Sequence, residues 1–310
     1  MTVYAAGGTS VQRTISQGMA GPRVLAFDGS GNLYVANCAG CFRSGGGNVT
    51  VYANDSKNVL RSITQGVNGP TALAFDGSGN LYVANFENND VTVYAPGRSS
   101  ILRTISRGID GPLALALDGS GDLYVANCDS TCENRSGGGT VTVYAPGGKN
   151  VLRTISQGIN QPFALALNAQ GDLYVANYGA SGSPSYFSTV TVYAPGKTTI
   201  LQTISKGVDE PVGLGFGRSG NLYVANCGTP CYSGSAPASV TVYAAGKARL
   251  LRTILQGVYR PAGMTFAESG DVFVANQTSD TVTAYAPGRT QVLRTISHSI
   301  SEPTALAIGP

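Results

Sequence analysis

Residues 70–111 read PTALAFDGSGNLYVANFENNDVTVYAPGRSSILRTISRGIDG, and their reading decides the fold. They hold four short runs rich in β-branched and aromatic residues: ALAF, NLYVAN, VTVYA and ILRTI. Gly, Pro, Asn, Asp or Ser separates each run from the next, which is how strands joined by turns are written. No segment shows a helical period. Four strands in a unit of this length make the meander of a β-propeller blade, lettered here A to D from the inside outward. The DGSGN between A and B is a tight hairpin turn in which glycine supplies the positive φ.

The unit recurs along the whole chain. A TVYA word or a near variant places Tyr4, Tyr52, Tyr94, Tyr144, Tyr193, Tyr243 and Tyr285 at spacings of 42 to 50 residues. Pro22, Pro70, Pro112, Pro162, Pro211, Pro261 and Pro303 keep the same beat. Residues 1–310 therefore read as one all-β domain. It begins on strands C and D, passes through six full A–D sets and finishes on a lone strand A at TALAIG. A seven-bladed propeller is favoured, with the last A joining an N-terminal B, C and D, provided a strand B precedes Met1. The alternative has six blades, pairing A and B from residues 263–276 with C and D from residues 2–15. It leaves residues 282–308 surplus.

The words PTALAFDGSGNLYVAN, repeated with small changes, resemble the blades of NHL-repeat and YVTN-type propellers. That resemblance implies the fold. It leaves function open, because propellers of this kind include protein- and RNA-binding modules, sugar lactonases and lyases.

Composition narrows the function classes. Charged residues are only 12% of the chain, and its net charge of +3 is spread without a Lys/Arg cluster, so no nucleic acid partner is expected. No apolar run is long enough to span a membrane as a helix, so no membrane insertion is expected, and the chain reads as a monomer. MTVYAAGGTS does not read as a signal peptide. All six cysteines follow VAN in B–C loops, as Cys38 with Cys41, Cys128 with Cys132 and Cys227 with Cys231. The three pairs fall in non-neighbouring units, which disfavours a four-cysteine zinc site, and no helix follows them as thioredoxin-like chemistry requires. Three local disulfides are the reading, and they point to an extracellular, periplasmic or cell-surface location.

The internal copies can be set against one another. A residue present in every blade serves the blade, whereas a single binding centre needs residues that break the repeat. The asparagines ending strand B, among them Asn177 and Asn226, read as side chains bonding nearby backbone. The strand D arginines read as charges that blunt an exposed edge. The Asp28, Asp76 and Asp118 turns have too few carboxylates for a calcium loop.

B–C and D–A loops belong to the same face of a propeller, and the variation lies there. Phe42, Arg43, Phe86, Tyr178, Tyr186, Phe187 and Tyr232 in B–C loops, with Arg23 after the first proline, are the candidate ligand-binding residues. Aromatic rings among Asn, Ser and Gly suit a protein or glycan partner without strong charge. No catalytic residue is assigned, since His298 is the lone histidine and no nucleophile elbow or zinc-protease motif appears. The reading is a secreted, non-enzymatic binding module without a cofactor. Its alternative is a lactonase-like hydrolase or lyase with Ca²⁺ held by Glu210, Asn177 and Asn226.

Overall fold

The computed structural model describes residues 1–5, 7–38, 40, 45–129, 138–179, 188–228, 231 and 237–309. Strands β1 (Thr2–Tyr4) and β2 (Val11–Thr14) form a two-stranded antiparallel sheet. Six four-stranded meanders follow. Blade I holds β3 (Pro22–Phe27), β4 (Leu33–Asn37), β5 (Asn48–Tyr52) and β6 (Val59–Ile63). Blade II holds β7 (Pro70–Phe75), β8 (Leu81–Asn85), β9 (Asp90–Tyr94) and β10 (Ile101–Ile105). Blade III holds β11 (Pro112–Leu117), β12 (Leu123–Asn127), β13 (Thr140–Tyr144) and β14 (Val151–Ile155). Blade IV holds β15 (Pro162–Leu167), β16 (Leu173–Asn177), β17 (Thr189–Tyr193) and β18 (Gln202–Ile204). Blade V holds β19 (Pro211–Phe216), β20 (Leu222–Asn226), β21 (Ser239–Tyr243) and β22 (Leu250–Ile254). Blade VI holds β23 (Pro261–Phe266), β24 (Val272–Asn276), β25 (Thr281–Tyr285) and β26 (Arg294–Ile296).

Among the described residues six complete blades are thus present, the alternative count, and the β1–β2 sheet stands in place of the favoured seventh. Neither expected closure appears in the sheet pairing. β25 and β26 complete blade VI themselves, so residues 281–296 are not surplus. TALAIG forms no strand; Ala305 and Thr304 run close over Gly263 instead. The physical reason is pairing: an A strand needs the N–H and C=O groups of a B strand, and among the described residues each B strand already lies between the A and C strands of its own blade. The chain divides into two compact units, residues 1–127 with 142–153 and 309–310, and residues 128–141 with 154–308.

Strands B and C form the core. LYVAN is buried at every position in β4, β8, β12, β16 and β20. In the first unit Tyr34, Val49, Val51 and Ile63 of blade I pack with Leu81, Val83 and Tyr94 of blade II. In the second, Val240, Val242 and Ile254 of blade V meet Val272, Val274 and Tyr285 of blade VI. Each such aliphatic side chain contributes roughly 1.5–3 kcal/mol. Strand D alternates, and Leu60, Leu102 and Leu152, with Leu293 just before β26, each stand 53% exposed, a feature of the repeat and not of one site.

The strand D arginines, expected to blunt an edge, reach across the sheet to strand B tyrosines. Arg61 lies opposite Val51, which lies opposite Tyr34, so arginine and tyrosine share one face across the intervening strand. Arg61 donates to the Tyr34 hydroxyl at 2.6 Å, Arg103 to Tyr82 at 2.6 Å and Arg153 to Tyr124 at 2.9 Å. The turn aspartates are occupied locally: Asp28 accepts from the Ser30 and Asn32 amides, and Asp76 from Ser78 and Asn80.

Two repeated side chains hold each D–A connection. The strand B asparagine accepts the N–H of a loop residue through Oδ1, at 3.0–3.3 Å, in all six blades. Its Nδ2 donates to the threonine hydroxyl in the middle of strand C. The tyrosine ending strand C donates to a loop carbonyl at 2.6–2.7 Å, from Tyr52 to Gln17 through Tyr285 to Gln256.

Burial raises the pKa of Tyr52, Tyr94, Tyr144, Tyr193, Tyr243 and Tyr285, against a smaller opposing effect of the threonine hydroxyl beside each. The folded state favours the neutral phenol. Its contribution is complete below the ordinary phenol value of about 10 and is lost as pH rises through the higher folded value. In an alkaline titration, phenolate absorbance from these six residues should rise together with loss of β-sheet circular dichroism. Six phenols ionising near their ordinary value with the sheets intact would contradict this assignment.

Candidate functional site

The residue before each of the seven repeated prolines occupies a peculiar slot. Gly21, Gly69 and Gly111 take φ of 61°, 61° and 59° there. Gln161, Glu210, Arg260 and Glu302 take 49°, 47°, 49° and 41° in the same slot. Left-handed backbone disfavours any residue with a Cβ, and a following proline disfavours helical φ/ψ further, so each side chain here costs about 1–3 kcal/mol. At Gly69 a Cβ would come within 2.6 Å of Glu87 Cγ.

Glu210 uses its position fully. It is 4% exposed, and its Oε2 accepts from the Tyr178 hydroxyl at 2.7 Å and the Cys231 N–H at 2.6 Å. Its own N–H donates to Ser188 Oγ at 3.0 Å, and that hydroxyl donates to the Tyr178 carbonyl at 2.7 Å. Its carbonyl accepts from the Cys227 N–H at 3.0 Å. Cys227 and Cys231 form a disulfide with a Cα–Cα distance of 5.0 Å, and with Tyr178 they make a small apolar cluster against Val212. Hydrogen bonds to a carboxylate are roughly twice as strong as neutral ones, so Glu210 clamps the B–C loops of blades IV and V.

Tyr178 is buried, and its ring supports that of Phe163, the residue after the blade IV proline, with centroids 5.7 Å apart and planes tilted by 34°. Phe163 is 38% exposed. Gln161, two residues earlier, is buried, and its backbone holds both sides of the corner: its N–H donates to the Gly138 carbonyl at 2.6 Å, and its carbonyl accepts the Tyr178 N–H at 3.0 Å. All of these residues belong to the second unit.

The other expected residues fall elsewhere. Arg23 is exposed on β3, and Phe86 is half-buried with its N–H on the Gly69 carbonyl, both in the first unit. Phe42, Arg43, Tyr186, Phe187 and Tyr232 lie outside the described residues, as do Cys41 and Cys132. Cys38 and Cys128 are disulfide-bonded. Asn177 and Asn226 spend Oδ1 on the Asn160 and Asp209 N–H groups at 3.0 and 3.1 Å. Those oxygens and Glu210 Oε2 are among the atoms the Ca²⁺ alternative draws on, and each already serves a loop backbone or a tyrosine. Among the described residues no group of three His, Cys, Asp or Glu side chains could hold a metal ion.

Among solved structures, 1340 chains match. One, hydrazine synthase from Kuenenia stuttgartiensis, has a TM-score of 0.72 at 18% identity, over 95% of this chain and 91% of that one. The fold is a β-propeller. At this identity the likeness shows the fold alone, and a fold shared so widely selects no function. No family model and no curated protein matches the chain.

Sequence reasoning placed Tyr178 and Glu210 near function but passed over Gln161 as a site residue and Phe163 as its partner ring. The pre-proline slot read across the copies, Gly, Gly, Gly, Gln, Glu, Arg, Glu, would have found Gln161.

Glu210→Ala and Tyr178→Phe should each lower unfolding free energy by about 1–3 kcal/mol in urea. The double variant should lose less than their sum, because the two share one bond. Strictly additive losses would show that Glu210 and Tyr178 act separately.

Proposed function

We propose that the chain is an exported, monomeric, non-enzymatic binding module of the NHL-repeat and YVTN kind. Its B–C and D–A loops take a neutral polar partner at a protein or glycan surface. The observation that carries this reading is the corner of blades IV and V. There, side chains that break the repeat occupy strained backbone beside an aromatic ring left partly open to solvent. Strain kept where glycine serves elsewhere in the same chain is the mark of a functional position. Low charge favours a partner recognised through hydrogen bonds and ring contacts. Disulfides in three blades suit an oxidising compartment.

The full chain probed on an array of surface glycans and extracellular proteins should bind a subset of them equally well with Ca²⁺ and with chelator. It should leave sugar lactones and simple esters intact. Hydrolysis of a lactone that stops on chelation would contradict the reading and favour the lactonase alternative.

A further inference from the structure

Gln161 stands apart from its counterparts. It holds left-handed backbone, it is 3% exposed, and its amide nitrogen Nε2 has no hydrogen-bond partner among the described residues. Glu210, one blade on, spends the same strained backbone on two donors to its carboxylate. Glycine, present in blades I to III, would remove both the strain and the unsatisfied amide. Among the described residues no acceptor for Nε2 offsets them at Gln161.

A buried N–H without an acceptor calls for an explanation, and an oxygen supplied from outside the chain is one. The neighbouring chemistry says what kind of molecule brings that oxygen. Phe163 presents a partly open ring backed by Tyr178, whose hydroxyl is fixed by Glu210. The negative face of an aromatic ring attracts the polarised C–H face of a sugar. The carboxylate at this corner is Glu210, which would repel an anionic ligand.

We propose that Gln161, Phe163 and Tyr178 form a subsite for one pyranose ring of a neutral glycan. The sugar stacks on Phe163, and Gln161 Nε2 donates to one of its oxygens. This rests on the binding-module reading and narrows it to a ligand class and a place.

The test is a titration of the full-length chain with methyl glucoside, galactoside and mannoside, followed in ¹⁵N–¹H spectra. The Gln161 side-chain amide is assigned by its disappearance in Gln161→Glu. At least one pyranoside should shift that amide, and Phe163→Ala should weaken binding by about tenfold or more. Gln161→Gly should abolish binding while raising Tm above that of the parent chain, since it relieves the slot; a residue with only a structural role would lower Tm when replaced. Three results overturn the proposal: a Gln161 amide unmoved by every pyranoside, a lower Tm for Gln161→Gly, or a neutral peptide shifting the amide where sugars do not. If an array partner binds Gln161→Gly as tightly as the parent, the subsite is wrong and the binding module stands. If the parent binds nothing on the array and no pyranoside, both fail.

Discussion

The hydrogen bond from a D–A loop N–H to the buried strand B asparagine is the contact on which the rest of this molecule depends. It recurs in six blades, always between residues seventeen apart. A D–A connection has no ladder to lie in, so its backbone groups must find partners elsewhere. The asparagine serves the N–H, and the strand C tyrosine serves a carbonyl a few residues earlier. Both side chains are buried, so water does not compete, and their loss would leave polar groups unsatisfied in the core. The loop is thereby set rigidly at the point where it delivers the pre-proline residue.

That rigidity explains how a strained residue can persist. Left-handed backbone before proline would relax in a mobile loop, whereas here bonds on both sides hold it. In blades I to III the slot is filled by glycine. In blades IV to VI it is filled by side chains, and in blades IV and V these are buried against or beside neighbouring loops. One scaffold thus carries silent and decorated corners, and the decoration is written in few residues.

The strands, turns and repeat were legible because each copy states them again. ALAF, LYVAN and VTVYA lie where their composition puts them, and the DGSGN hairpins close through Asp28 and its counterparts. The blade count was not legible, because TALAIG has the residues of a strand but its pairing depends on a partner that composition does not reveal. The arginine role was hidden for a related reason. Only the register across strand C shows that Arg61 reaches Tyr34. At the candidate site, aromatic loop content pointed to Tyr178, but Gln161 hid beside a proline in a slot that earlier copies fill with glycine. Its significance lies in a φ angle and an unmatched amide, neither of which composition records.

The most direct measurement is native-state hydrogen exchange at the Asn160 amide in Asn177→Ala. Asn160 donates to Asn177 Oδ1 at 3.0 Å, one residue before Gln161. Protection of that amide should collapse, and the Gln161 and Phe163 backbone resonances should shift, while Asp209, held by Asn226, keeps its protection. Unchanged protection at Asn160 would contradict the claim that the asparagine sets the loop, and with it the account of how this propeller positions its candidate site.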